Sequence, residues 1–128
     1  MVAQRDSRHG FTLIELLVVL AIVATLLTIT LPRYFQSVEN SKITVLMENL
    51  RTTRDAIDKF YGDKGRYPDS LDELVTTQYL RSVPIDPVAE NASSWAIKPP
   101  PNDIPGKVYD IKSTAVGKTR DGRALSDL

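Results

Sequence analysis

The chain has 128 residues and a mass of 14.3 kDa, which is the size of one domain and excludes separate catalytic and binding domains. Its 16 basic and 16 acidic residues cancel, so it lacks the positive bias of a general nucleic-acid binder. It contains no cysteine, which excludes disulfides, thiolate metal sites and a cysteine nucleophile.

A long apolar run stands near the start of the chain. Residues 11–31 read FTLIELLVVLAIVATLLTITL and carry a single charge, that of Glu15. As a helix these residues would extend about 31 Å, which matches the hydrocarbon core of a bilayer. An ionised side chain in a bilayer costs about 2.5–3.5 kcal/mol, so Glu15 either has a function or reaches the lipid head groups. The run predicts a membrane anchor for one polar domain.

A short polar segment, MVAQRDSRHG, precedes the apolar run. A positive start before an apolar run is typical of a secretory signal peptide, but this run is longer than the usual ~7–15 residues. No small-residue cleavage site follows it either, which makes a plain signal peptide the weaker interpretation. Positive charges flank both sides of the run, and the bulk of the polar chain beyond it favours a cytoplasmic N-terminus.

The apolar pattern after Pro32 becomes helical and predicts one helix from Phe11 to Tyr61, ended by Gly62 and Gly65. Its apolar residues follow spacings of three and four and are expected to form ordinary core: Phe35, Val38, Ile43, Leu46, Met47, Leu50, Ile57, Phe60 and Tyr61.

The remaining chain predicts a short helix and two strands. Ser70 and Glu73 fit a capping box that opens a helix through about Thr77. Residues 95–98 and 108–113 have the composition of strands, joined by a proline-rich link. The predicted fold is α+β, with a long N-terminal helix packed on a small antiparallel sheet.

The segment from Gly10 to Val19, GFTLIELLVV, resembles the processing and assembly signature of type IV pilins and their relatives, including the pseudopilins of type II secretion systems. The resemblance extends to Gln36 and includes Pro32. It implies that a prepilin peptidase cuts after Gly10 and methylates the new amine of Phe11.

This resemblance divides the chain into a leader at 1–10, a transmembrane assembly helix at 11–31 and a pilin-like periplasmic domain at 32–128. It also gives Glu15 an assembly role, because its carboxylate can pair with the Phe11 amine of a neighbouring subunit. Many relatives carry a glycine in the middle of this helix, where this chain has residues 21–25, AIVAT. Any local melting on assembly is therefore expected to depend on Pro32.

The second half of the chain is similar to one branch of the family, the major pseudopilin of type II secretion. The similar elements are Gly65-Arg66-Tyr67-Pro68, Asp86-Pro87, Trp95, Tyr109-Asp110-Ile111-Lys112-Ser113 and Asp121-Gly122. Val88 departs from the pattern, since an aromatic residue usually follows the Asp-Pro pair.

This branch binds calcium in its C-terminal loop, which makes Asp121 and Asp127 the candidate Ca²⁺ ligands here. Lys118, Arg120 and Arg123 add positive charge to the same loop and oppose a cation. The alternative is a solvated, partly frayed tail with no metal, and no other cofactor is required.

The function implied is that of a structural pseudopilin, which polymerises into the periplasmic filament of a type II secretion machine. Its expected partners are other copies of itself, minor pseudopilins, the inner-membrane assembly platform, the prepilin peptidase and the membrane, with no nucleic acid. A type IV pilus subunit for adhesion or motility is the alternative, and a single-pass anchor for a solitary periplasmic domain is a third. An enzyme is not expected, because the only histidine, His9, lies in the leader.

Overall fold

The computed structural model describes residue 10, residues 12–91 and residues 94–128. Its elements are α1 (Leu13–Lys64), α2 (Leu71–Thr76), β1 (Ala96–Lys98), β2 (Asp110–Lys112) and a final 3₁₀ turn (Leu125–Asp127). The two strands pair antiparallel, which confirms the predicted α+β class. Phe11 and most of the predicted leader lie outside the described residues.

The chain divides into two compact units, residues 1–37 and residues 38–128. The predicted boundary at 10/11 is a cleavage site and the one at 31/32 is the end of the membrane span, and both stay predictions. Within the first unit all residues from 12 to 37 are exposed, including the apolar side chains between Leu13 and Leu31. In the described part of the chain, α1 is the one helix long and apolar enough to cross a membrane.

Three threonines interrupt the apolar surface of α1, yet each hydroxyl has a partner within the helix. Thr25, Thr28 and Thr30 donate to the carbonyl oxygens four residues earlier, over 2.7–2.8 Å. No donor of these side chains is therefore left unpaired in an apolar solvent.

The second half of α1 presents its apolar stripe to the core of the second unit. Its buried residues recur every three or four positions: Leu46, Leu50, Thr53, Ala56, Ile57 and Phe60. The predicted stripe is confirmed as buried at Leu46, Leu50, Ile57 and Phe60 and is wrong at three positions. Phe35, Met47 and Tyr61 are 62%, 43% and 37% exposed, so none of them is a core residue of the isolated chain.

The helix ends at Lys64 rather than at Tyr61, because Gly62 stays helical and Gly65 does not. Gly65 has φ +71°, a left-handed conformation that glycine adopts without steric cost, and its N–H donates to the carbonyl oxygen of Tyr61 over 2.8 Å. Downstream, the hydroxyl of Ser70 accepts the Glu73 N–H over 3.2 Å, which confirms the predicted cap of α2.

Both strands are shorter than predicted. Ile97 pairs with Ile111 at the centre of the register, while Trp95 and Val108 are buried next to the strands rather than within them. Val108 donates its N–H to the carbonyl oxygen of Pro68 over 2.9 Å. The hydrogen-bond partner of this N–H is therefore the loop before α2 and not β1.

Asp86 is the one acidic side chain among the described residues that is completely buried in the core. Its carboxylate accepts the N–H groups of Val88 and Ala89 over 2.9 and 3.0 Å, together with the hydroxyl of Ser113. These bonds tie the Asp86 turn to the residue that follows β2. This carboxylate therefore caps two backbone amides inside the core.

The segment after β2 is packed rather than frayed, contrary to the frayed-tail alternative. Leu125 is buried, and Arg54 on α1 donates to the carbonyl oxygens of Ile111 and Leu128 over 3.0 and 2.7 Å. Arg54 also binds the Asp110 carboxylate over 2.7 Å. One guanidinium thereby joins α1, β2 and the final turn.

We expect Asp86→Ala to lower the free energy of unfolding by about 2–4 kcal/mol, because buried donors left unpaired cost about 1–3 kcal/mol each. Denaturant unfolding of the detergent-solubilised chain, followed by the fluorescence of Trp95, measures the change. The matched control is Asp86→Asn, which keeps a carbonyl acceptor for the two amides and should lose less. Equal stability of the two variants would contradict the capping role.

Candidate assembly site

The site predicted from the sequence is the beginning of α1. Thr12 directly precedes the helix, and its carbonyl oxygen accepts the first helical bond, from Leu16 N–H over 3.2 Å. The Thr12 hydroxyl accepts the N–H of Glu15 over 3.2 Å. In return, Glu15 Oε2 accepts the N–H of Thr12 over 3.1 Å. This reciprocal pair is a capping box.

The capping box was missed by the sequence reasoning, although a signal for it exists. Thr12 and Glu15 have the same Thr/Ser-x-x-Glu spacing as Ser70 and Glu73, and that spacing predicts the start of a helix. Both pairs fix the residue at which a helix begins.

The carboxylate of Glu15 can hold the helix end and still bind a cation. A carboxylate has about four acceptor positions on two oxygens, and the capping bond uses one of them. The beginning of a helix also favours negative charge by about 0.3–1 kcal/mol at an exposed site. Gly10, the predicted cleavage residue, is exposed beside this site, and Phe11 lies outside the described residues.

Pro32, the other predicted assembly residue, lies inside α1 and is not part of this end. It is 17 residues from Glu15 along the helix, or about 25 Å at 1.5 Å per residue. Because proline has no N–H, the carbonyl oxygen of Thr28 has no helical donor there. α1 continues through this position.

The candidate calcium ligand Asp121 already faces protein donors. The Thr119 hydroxyl donates to its carboxylate, and Arg123 Nε lies 3.2 Å from Oδ2. The Thr119 hydrogen bond, assisted by the charge of Arg123, holds the pKa of Asp121 below its usual value. The turn is closed by backbone bonds between Thr119 and Arg123 and between Gly117 and Leu125.

Asp127, the second candidate ligand, lies in the final 3₁₀ turn, where its main-chain carbonyl oxygen accepts Lys112 Nζ over 3.1 Å. Asp110 is bound to Arg54. Among the described residues no group of three or more acidic, histidine or cysteine side chains could hold a metal ion. Since Ca²⁺ takes six to eight oxygens, the side chains as arranged do not fit the ion, and calcium binding stays a prediction.

Comparison with known proteins identifies the N-terminal segment. Residues 5–31 match the family described as the prokaryotic N-terminal methylation motif. The fimbrial protein EcpC of Eikenella corrodens is 30% identical over 127 residues, which cover 95% of this chain and 74% of that protein. No solved structure matches the chain.

Two further relatives have different names. Type II secretion system core protein G of Pseudomonas aeruginosa is 29% identical over 100 residues, covering 66% of this chain and 70% of that protein. Type IV major pilin protein PilE1 of Neisseria gonorrhoeae is 28% identical over 131 residues, covering 93% of this chain and 61% of that protein. The chain belongs to the type IV pilin-like family, with the N-terminal methylation motif at the start of its apolar helix.

Proposed function

We propose that the chain is a pseudopilin, a structural subunit that polymerises into the periplasmic pseudopilus of a type II protein secretion system. The observation that carries the proposal is Glu15, the only charge within 11–31, at the start of the exposed apolar part of α1. An apolar surface of this length needs lipid or other helices to cover it, and a charge in that setting needs a partner. A bundle of identical helices supplies both.

Proteolysis supplies the partner of the carboxylate. Cleavage after Gly10 by a prepilin peptidase creates an amine on Phe11, and N-methylation keeps its positive charge. In a staggered bundle, Glu15 of one copy pairs with the Phe11 amine of the next. Before cleavage that amine does not exist, so processing gates assembly. The pairing sets register, because any other stagger leaves two charges in a medium of low dielectric constant.

The apolar helix and the bulk of polar chain beyond it support the proposed location. Residues 11–31 cross the bacterial inner membrane with the N-terminus in the cytoplasm, and residues 32–128 lie in the periplasm. The proposed partners are further copies of the chain, minor pseudopilins, the inner-membrane assembly platform and the prepilin peptidase. We propose no enzymatic activity, no nucleic-acid partner and no required cofactor.

The similarity to core protein G and the absence of cysteine support the secretion role over a pilus. The second candidate is a type IV pilus subunit for adhesion or motility. It is favoured by the extent of similarity to EcpC and PilE1, which covers 95% and 93% of this chain, against 66% for core protein G.

The charge and the capping bond of Glu15 can be separated by substitution. We expect Glu15→Gln to keep the helix cap, since glutamine serves in a capping box, but to lose filament assembly along with the charge. Glu15→Ala removes both, and we expect leader cleavage to stay largely intact in both variants. Filaments are isolated from the periplasm of cells expressing each variant and quantified, while cleavage is followed by the mass of the chain.

The matched control is Thr12→Val, which removes the capping hydroxyl and keeps the charge. It should weaken the helix end by about 1 kcal/mol and still assemble. Normal filament yield from Glu15→Gln would contradict the charge pairing and leave the cap as the reason for an acid at this position.

The calcium prediction is tested by melting the detergent-solubilised chain in excess chelator and in millimolar Ca²⁺. Because Thr119 and Arg123 already hold Asp121, we expect the two Tm values to agree. For comparison, the Arg123→Gln variant, which lacks the cation that contacts the Asp121 carboxylate, is melted in the same two solutions. A Tm that rises with Ca²⁺ in the unaltered chain would show that the loop rearranges into a metal site.

The two candidate functions differ in what a deletion strain loses. We expect loss of exoproteins from the culture medium with unchanged surface pili, and recovery of the exoproteins when the gene is restored. Lost pili with normal secretion would instead make the chain a pilus subunit. Proteins of the medium and sheared surface filaments are compared in the same cultures.

A further inference from the structure

The second unit carries an open groove of about 530 Å³ that the proposed function does not use. We call it the Trp95 groove. Its apolar lining consists of Leu71, Val83, Trp95, Ile97 and Val108. Asp69 and Asp72 lie at its polar edge with Lys107, so the charged side chains there sum to −1.

An apolar side chain projects from another part of the same unit. Val116 is 97% exposed, although it lies between two anchored neighbours. Ala115 is buried and donates its N–H to the hydroxyl of Ser113 over 3.0 Å, and the carbonyl oxygen of Gly117 accepts Leu125 N–H over 3.0 Å. We call this side chain the Val116 knob. Its backbone is fixed before any partner arrives, so little entropy is lost when it docks.

The charges around the knob complement those of the groove. Lys118 and Arg120 are exposed and follow the knob by two and four residues, and neither forms an ion pair within the described part of the chain. A basic apolar projection matches an apolar groove with an acidic edge. Val116 does not occupy the groove of its own copy, because almost all of its surface is exposed.

We propose that the Val116 knob of one copy docks in the Trp95 groove of the next copy. This contact joins two different patches of one chain, so it is heterologous and generates an open series of subunits rather than a closed dimer. The inference rests on the proposed filament and adds to it a contact between periplasmic domains. Lys118 lies close to Asp69 and Asp72 in the docked pair, which orients the knob.

The absence of cysteine allows a direct test by disulfide cross-linking in the full chain, in cells that assemble filaments. A chain with both Val116→Cys and Ile97→Cys should give a ladder of multimers on oxidation, because each copy offers one knob and one groove. Each single variant should give almost no ladder. The matched control is Val116→Cys with Ile85→Cys, since Ile85 is 57% exposed and lies outside the groove.

Charge reversal provides a second measurement on the same cross-linked chain. Asp72→Lys should lower the ladder yield up to about fivefold, the range expected of one exposed charge pair, and adding Lys118→Glu should restore it. Each variant is melted first, and an unchanged Tm shows that the domain still folds.

The outcomes separate this inference from the proposed function. Filaments that form normally without a Val116–Ile97 ladder overturn the docking and leave the pseudopilin proposal intact. A product that runs as a monomer, or a cross-link to a protein of another size, also overturns it. If the unaltered chain forms no filaments and deletion of its gene causes no secretion defect, the proposed function is overturned, and the docking with it.

Discussion

Arg54 and Asp86 hold together a domain in which regular structure is sparse. After α2 the described residues contain two strands of three residues each, so most of their backbone must find partners outside a helix or sheet. Asp86 supplies acceptors for the turn before β1, and Arg54 supplies donors for β2 and the final turn. A buried or half-buried charge is costly unless several hydrogen bonds satisfy it. Here those bonds are the ones that order the loops, and the groove and the knob are both built on loops ordered in this way.

Glu15 meets two physical demands at one position. Its bond to Thr12 determines where α1 begins, and its charge is the only one in the apolar run. The proposed cleavage site is five residues before it, so the helix end that processing exposes is also the end that Glu15 stabilises. A neutral residue with the same hydrogen bonds meets the first demand and not the second, which is why the two roles can be distinguished.

Local patterns are sufficient to predict the long N-terminal helix, the cap at Ser70 and the approximate strands. The predicted end of α1 is too early because either Gly62 or Gly65 could end the helix. Only Gly65 adopts a positive φ, whereas Gly62 stays helical at a cost in helix stability of about 1 kcal/mol. The packed final segment could not be predicted, because its anchor, Arg54, is 74 residues away from Leu128 in sequence. The same limit applies to Asp86, whose partner Ser113 follows by 27 residues. Side-chain bonds across such distances leave no periodic signal.

The three threonine hydroxyls of α1 have a consequence for how helices recognise one another. In lipid, hydroxyl groups often bind adjacent helices, but Thr25, Thr28 and Thr30 each spend their donor on their own backbone. What remains over this stretch is an apolar surface that distinguishes poorly between neighbours sliding or rotating against it. Directional selectivity among packed helices thus concentrates at one end of the span. In the proposed filament, sliding or rotation of one such helix against another would break none of the hydrogen bonds of Thr25, Thr28 and Thr30.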